Sequence, residues 1–409
     1  MADISVLDVL LHGKPIGTLT QLGGDQNLFA FNEDYINDTQ RATLSLSFKD
    51  ELGDLITDIK PTRTRVAPYF ANLLPEGPLR TYLAELASVN EKREFFLLWV
   101  LGRDLPGAII IKPTKGGPWP PADNHEDNDR HDDNYHDALR FSLAGVQLKF
   151  SAVMEASGGL TIPAEGVGGS WIIKLPSTTY IGVPENEFSM MTLARHIGID
   201  VPEVQLHALD DIAGLPEGTG RLEGQALTVR RFDRTDGGPV HTEDFAQIFG
   251  IYPENKYKRA NYRNIAKVIW IETGEEGLIE YVRRLMFNAL IGNADMHLKN
   301  WSLIYSDKHN PALSPGYDFV ATIAFLPDEN MALNFGRSKL WADLSMDELR
   351  YFAGKAKLPE TIVLNTAIET VALFFENWNT EKKHLPLPAD TIRIIEKHAA
   401  AIPLVRQTR

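Results

Sequence analysis

The chain opens with short apolar runs separated by turn residues and changes to helical spacing further on. Val6–Leu11 is apolar, His12-Gly13-Lys14-Pro15 forms a turn, and apolar character resumes over Ile16–Leu19, which predicts a hairpin. Gly23-Gly24 turns the chain again before a third strand, Leu28–Phe31. From Pro68 to Ala87 the pattern becomes helical, with Phe70, Leu73 and Leu74 on one face. A further helix is expected over Glu91–Leu101, and the strand Ala108–Ile111 closes a first α+β domain over residues 1–113.

Residues 114–140 are rich in Gly and Pro, then in Asp, Asn and His, and bury too little apolar surface to order themselves. His125, His131 and His136 lie among aspartates, but they follow no metal-ligand spacing, so the segment reads as a linker. From Phe141 the pattern predicts strands at Leu148–Met154, Trp171–Leu175 and Leu227–Phe232. Gly158-Gly159 turns the chain between the first two, and a helix over Pro184–His196, stopped at Gly198, precedes the third. Strand, turn, strand, helix, strand is the order of a kinase-type small lobe, here 141–235. Residues 236–409 are mostly helical; over Leu278–Leu290, Val282, Leu285, Met286, Ala289 and Leu290 share one face. The expected fold class is α+β: an N-terminal α+β subdomain followed by a two-lobed, protein-kinase-like fold.

Composition narrows this picture only a little. With 409 residues there is room for two or three domains with a sizeable core, and 44% hydrophobic with 23% charged residues is ordinary for globular proteins. No apolar run is long enough to span a membrane, and Met-Ala-Asp-Ile-Ser does not resemble a signal peptide, which favours the cytoplasm. The chain has no cysteine, so it has neither disulfides nor thiolate metal sites. A formal charge of -14 excludes a surface that is basic throughout, as nucleic-acid binding over the whole molecule would need.

The candidate chemistry centres on Gly292-Asn293-Ala294-Asp295-Met296-His297-Leu298-Lys299-Asn300. Phosphoryl transfer to a hydroxyl needs a carboxylate to take the proton and a nearby polar residue to hold Mg²⁺; kinases space these as Asp-x4-Asn, the spacing of Asp295 and Asn300. An apolar run, Trp301–Tyr305, follows, and Tyr317-Asp318-Phe319 then supplies a second metal carboxylate. Alone, Asp295 and Asn300 could simply punctuate a helix end. Lys174, interrupting an apolar strand, is placed like the lysine that holds nucleotide phosphates in kinases, and Glu187 on the next helix is its natural partner. The glycine loop G-x-G-x-x-G is absent; Ser142–Lys149, with Gly145 and Lys149, is an irregular phosphate loop.

Ser-Leu-Ala-Gly-Val-Gln-Leu-Lys, Ile-Ile-Lys-Leu-Pro, Glu-Asn-Glu-Phe, Val-Arg-Arg-Phe-Asp-Arg and Gly-Asn-Ala-Asp-Met-His-Leu-Lys-Asn, in this order, resemble the HipA family of bacterial serine/threonine kinases, the toxins of toxin–antitoxin pairs. Leu73-Leu74-Pro75-Glu76-Gly77 extends the resemblance into the first domain. The resemblance implies that Asp295 is the catalytic base, that Asn300 and Asp318 hold Mg²⁺, and that Lys174 holds the ATP phosphates. Ala144, Gly145, Val146, Gln147, Leu148 and Lys149 would wrap those phosphates, and Arg230, Arg231 and Phe232 would line the adenine hinge. His297, Leu298, Lys299, Asn300, Tyr317, Asp318, Phe319 and Val320 would complete the ATP pocket. It also implies autophosphorylation at Ser142, adding charge beside the phosphate loop. The implied partners are a HipB-like DNA-binding antitoxin, operator DNA mainly through that antitoxin, and a translation component such as an aminoacyl-tRNA synthetase as substrate. Arg230 departs from the family, where a glutamate is common, and the acidic linker has no counterpart. The alternatives are a catalytically weak kinase-fold co-repressor and a lipid or small-molecule kinase. Lys256–Arg263 interleaves basic and aromatic residues; it reads either as a solvated loop and helix start or as a contact for RNA or DNA phosphates.

Overall fold

The turns expected at His12-Gly13 and Gly23-Gly24 form. Lys14 and Pro15, read as part of the first turn, already belong to the second strand, because the tight turn needs only His12 and Gly13. A computed structural model describes residues 5–87, 89–114, 149–154, 160–161, 169–177, 179–215, 223–327 and 329–408. β1 (Ser5–Leu11), β2 (Lys14–Leu22) and β3 (Gln26–Phe31) form an antiparallel meander. β4 (Thr62–Arg63) borders β3, and β5 (Ile109–Pro113) pairs with β1, giving the sheet order β4-β3-β2-β1-β5. The linker and its histidines lie almost wholly outside the described residues.

The single helix expected over 68–87 is two helices, Pro68–Ala71 and Gly77–Leu86. The reason lies at Pro75, which lacks an N–H and turns the preceding Leu74 away from helical backbone angles. The Leu-Pro-Glu turn between the helices leaves Asn72 and Glu76 free of helical packing, and both line the central cleft. The helix expected over 91–101 starts later, at Glu94.

A second sheet carries β6 (Lys149–Met154), β7 (Leu160–Thr161), β8 (Trp171–Lys174), β9 (Val204–Ala208), β10 (Ile212–Ala213) and β11 (Gln225–Arg230) in the order β10-β7-β6-β8-β11-β9. The Val183–His196 helix lies between β8 and β9 in the chain and packs on β9 and β11. β9, absent from the sequence reading, is a half-buried edge strand with His207 among its residues, so its apolar signal is weak. After a short hairpin of β12 (Arg234–Thr235) and β13 (Gly238–Pro239), β14 (His241–Asp244), β15 (Ser302–Tyr305) and β16 (Ala312–Leu313) form a third sheet. The rest is helical: Tyr262–Ile291, bent at Gly274, packs against Glu360–Glu381 and Ala389–Ala401.

Two apolar cores result, and the first reaches beyond the N-terminal strands. Trp171, Ile173, Ala152 and Ala226 of the second sheet join the cluster built by Leu7, Phe70 and Leu98. Leu227 and Val229 join the larger helical cluster instead. The N-terminal subdomain is therefore packed directly against the small-lobe sheet. A buried ionic network fastens the same junction. Arg231 bonds Asp104 and Asp233, each at 3.0 Å, while Arg234 bonds Asp104 at 3.0 Å and Asp233 at 2.9 Å. Glu243 of β14 makes a further link, accepting from Ser45 Oγ, from the Leu46 N–H at 3.0 Å and from Tyr305 at 2.5 Å.

Removing one member of such a network leaves buried charge uncompensated. Arg231→Met should lower unfolding free energy by about 3 kcal/mol, measured as a fall in the urea midpoint. An unchanged midpoint would show that the network does not hold the two regions together.

Candidate active site

Alternation along β8 sends Trp171 and Ile173 into the core shared with the N-terminal subdomain and turns Ile172 and Lys174 toward a cleft of about 980 Å³. Lys174 is flanked in register by Lys149 of β6 and Leu227 of β11. Its Nζ lies 2.5 Å from Glu187 Oε1 on the Val183–His196 helix and also donates to Asp318 Oδ1 from the other lobe. Burial works against the ammonium, but Asp318 and Glu187 together hold its pKa above the usual lysine value. Partial burial works against the Asp318 carboxylate as well, but Lys174 and Lys149 hold it well below the usual range. Glu187 stays above its usual value because burial outweighs the pull of Lys174.

Asp318 has φ 56, the left-handed region that a residue with a side chain adopts only under constraint. The constraint is visible on both sides. Asn293 Nδ2 donates to the Asp318 carbonyl at 3.1 Å, and the hydroxyl of neighbouring Tyr317 donates to the Lys299 carbonyl at 2.9 Å. Further on, the Ala321 N–H donates to Asn186 Oδ1 at 2.8 Å, tying this segment to the helix that carries Glu187.

The loop holding Asp295 begins where the Tyr262–Ile291 helix ends. Gly292 caps it at φ 69, a left-handed conformation suited to glycine. The Asp295 N–H then donates to Asn293 Oδ1 at 3.0 Å, and Asn300 Nδ2 donates to the Asp295 carbonyl at 2.9 Å. Thus the five-residue spacing is closed by a hydrogen bond. Crowding by the cleft walls raises the Asp295 carboxyl above its usual value, yet its side chain remains 54% exposed at the cleft mouth. Tyr257 donates its hydroxyl to Asp295 Oδ1. Burial, aided by Lys256, pushes His297 down to about 3, so its ring is neutral near pH 7. The Lys299 N–H donates to His297 Nδ1 at 3.2 Å, which places the ring proton on Nε2.

Of the residues singled out in the sequence, Lys149, Lys174, Glu187, Arg230, Arg231, Phe232, Asp295, His297, Lys299, Asn300, Tyr317, Asp318 and Val320 line this one cleft. Leu298 and Phe319 lie beneath it in the core, where Phe319 packs on Phe287 at 5.4 Å. Ser142, Ala144, Gly145, Val146, Gln147 and Leu148 lie outside the described residues. The Arg230 and Arg231 N–H groups are committed to the carbonyls of Glu203 at 2.9 Å and Ser170 at 2.8 Å. The Arg231 guanidinium belongs to the buried ionic network, and that of Arg230 is 57% exposed.

Glu76 and Lys256 escaped the sequence reading as site residues. Glu76 Oε2 lies 2.9 Å from Lys256 Nζ and its Oε1 lies 2.7 Å from Lys299 Nζ. Lys299 Nζ also donates to the Asn72 carbonyl at 3.0 Å. Although burial pushes Glu76 up, Lys299 and Lys256 bring it down to about 2. The signal was present in Leu-Pro-Glu-Gly, since a proline-forced break exposes the residue after it. The basic-aromatic segment that begins at Lys256 contributes Lys256 and Tyr257 to the cleft.

The donor set suits a nucleotide triphosphate and Mg²⁺. Lys149 and Lys174 supply positive charge around the Asp318 carboxylate, and Lys299 lines the same cleft. Asp318 and the Asn300 amide are oxygen donors of the kind Mg²⁺ takes in ones and twos, with phosphates and waters completing its shell. Ile172, Val229, Phe232 and Tyr317 give the cleft apolar surface that could face a planar base.

Comparison with known proteins agrees with this architecture. The HipA N-terminal domain model matches residues 7–112 and the HipA-like C-terminal domain model matches residues 141–378, so the chain belongs to the HipA family. Among its relatives is Y4dM of Sinorhizobium fredii, named provisionally as a kinase, which is 55% identical over 100% of this chain and 99% of its own. The Shewanella oneidensis serine/threonine-protein kinase toxin HipA is 28% identical over 74% of this chain and 72% of its own. The same fold occurs in the solved complex of Shewanella oneidensis HipA, HipB and operator DNA, with a TM-score of 0.73 at 20% identity, covering 98% of this chain and 96% of that one. Among the described residues, no helix is long and apolar enough to cross a membrane.

The Glu76 pairing has a testable pH dependence. A carboxyl brought from 4.5 to about 2 by folding adds stability above the unfolded value and loses it as pH falls toward the folded one. Glu76→Gln should therefore cost up to about 3 kcal/mol at pH 6, with the deficit shrinking as pH drops below about 4.5. Urea midpoints of both proteins across that range measure this. A deficit that did not change with pH would contradict the ion-pair account.

Proposed function

We propose that this chain is an ATP- and Mg²⁺-dependent protein serine/threonine kinase, acting as the toxin of a toxin–antitoxin pair. The observation that carries the proposal is the convergence of Lys174, Glu187, Asp318, Asp295 and Asn300 on one cleft from both lobes. In this reading Lys174, held in place by Glu187, releases Asp318 and takes a phosphate oxygen when nucleotide enters. Lys149 and Lys299 add charge on the same side. Asp318 and Asn300 would hold Mg²⁺, which would supply neutralisation of the charge that develops on the transferred phosphoryl group. Asp295, at the mouth, accepts the proton of the attacking hydroxyl; burial shifts its carboxyl upward, which strengthens it as a base. The base is held by the apolar walls and the Arg230–Phe232 hinge, with the two hinge amides already bonded elsewhere.

Ser142 is the proposed autophosphorylation site, at the edge of the phosphate loop Ala144–Lys149. The substrate is a translation component such as an aminoacyl-tRNA synthetase, and a HipB-like DNA-binding antitoxin is the partner that brings the chain to operator DNA. The antitoxin and operator DNA follow the Shewanella oneidensis complex, while Ser142 and the substrate follow the family resemblance alone. The domain division is 1–113, 114–140, 141–235 and 236–409, and the chain works in the cytoplasm.

Purified protein, first dephosphorylated, should incorporate labelled phosphate from Mg-ATP at Ser142. Asp295→Asn and Asp318→Asn should each reduce incorporation by roughly 10²–10⁴-fold. Peptide mass spectrometry locates the label. Label that persists in Asp295→Asn would remove Asp295 as the base. Mg-ATP binding without transfer to Ser142 or to synthetase preparations would favour a binding role as co-repressor.

A further inference from the structure

Nothing in the proposed chemistry uses Tyr257, yet its hydroxyl is hydrogen-bonded to Asp295 Oδ1. Phosphoryl transfer requires an acceptor hydroxyl to donate a hydrogen bond to the base before its proton is taken. A phenol donating to that carboxylate fills the same place. We propose that Tyr257 is an acceptor-side positioning residue, whose hydroxyl stands in for the acceptor at Asp295 and must be displaced by a serine or threonine hydroxyl before transfer. This inference rests on the kinase reading of the site.

Five observations support it. Asp295 does not need Tyr257 to keep its place, because Asn293 and Asn300 already fix its backbone. Tyr257 is held at the mouth: the Leu298 N–H donates to the Lys256 carbonyl at 3.3 Å, and Lys256 Nζ is paired with Glu76. Its ring rests edge-on against His297, with centroids 4.9 Å apart and planes at 82°. The residue is nevertheless 37% exposed, so displacing its side chain gives up little buried area. Burial and the Asp295 charge keep the phenol protonated, so it remains a donor at neutral pH.

The arrangement has a chemical purpose. An unshielded carboxylate beside a bound triphosphate would activate water, and ATP would be hydrolysed without a substrate. A resident hydroxyl on Oδ1 denies water that oxygen. An acceptor segment that brings contacts of its own displaces the phenol more readily than a water molecule does.

The test uses dephosphorylated full-length protein and two acceptors, water and dephosphorylated casein. Tyr257→Phe keeps the ring and removes the hydroxyl. Phosphate release from Mg-ATP without casein should rise roughly tenfold in kcat, the scale of one hydrogen bond to a charged group, with the KM for ATP unchanged. With casein present, its KM should fall while kcat is kept. A purely structural role would instead lower kcat or move the KM for ATP. If wild type labels casein and Tyr257→Phe matches it in phosphate release and in casein KM, the Tyr257 role is overturned and the kinase reading stands. If neither protein turns over ATP with either acceptor, and both match Asp295→Asn, the kinase reading fails and this inference falls with it.

Discussion

The ammonium of Lys174 is shared between a carboxylate of its own lobe, Glu187, and one of the opposite lobe, Asp318. Lys174 and Glu187 are buried and Asp318 is half-buried, and removing charges from water is costly unless each finds a partner. The sharing offsets that cost only when the two lobes are correctly seated. Alternation on β8 aims Lys174 into the cleft, the Val183–His196 helix brings Glu187 to meet it, and a left-handed backbone at Asp318 turns the second carboxylate inward. The segment bearing Asp318 is held by Asn293 of the Asp295 loop and by Asn186 of the helix that carries Glu187. The ion triad therefore acts as a latch between lobes. Phosphate, with a metal ion, is the kind of ligand that could take over both halves of it.

The N-terminal subdomain belongs to the same mechanical unit. It shares an apolar core with the small-lobe sheet, and it contributes Asp104 to the buried arginine network. It also reaches the cleft itself, where Glu76 pairs with Lys256 and Lys299 on either side of Asp295 in sequence. Anything that moved the first subdomain would therefore disturb the position of Lys299 and of the loop bearing Tyr257. Binding at the N-terminal surface and occupancy of the cleft are expected to be linked through these ion pairs.

Local signals made much of this legible. The Gly-rich turns of the first meander, the lysine in an otherwise apolar strand and the Asp-x4-Asn spacing are short-range patterns, and the structure places their residues as strand, cleft wall and loop. Helix ends and long-range partners were harder. The break at Pro75 sat inside a run whose apolar spacing still looked helical, and the value of Glu76 depends on lysines far away in the chain. β9 was hidden because an edge strand carries polar and half-buried residues. Arg231 looked like part of a nucleotide hinge, while its guanidinium serves a buried network whose key acid, Asp104, lies in a loop of the first subdomain. Tyr257 was visible only as one aromatic in a basic segment; nothing in its neighbours marks it as a partner of Asp295.

The account turns on whether Lys174 and Asp318 exchange each other for phosphate and Mg²⁺. The most direct measurement is calorimetric titration of wild type and Asp318→Asn with a non-hydrolysable ATP analogue, with and without Mg²⁺. The account predicts binding by wild type that strengthens markedly when Mg²⁺ is present, and a variant in which that dependence is lost. Equal affinities in all four titrations, or no binding by wild type, would contradict it.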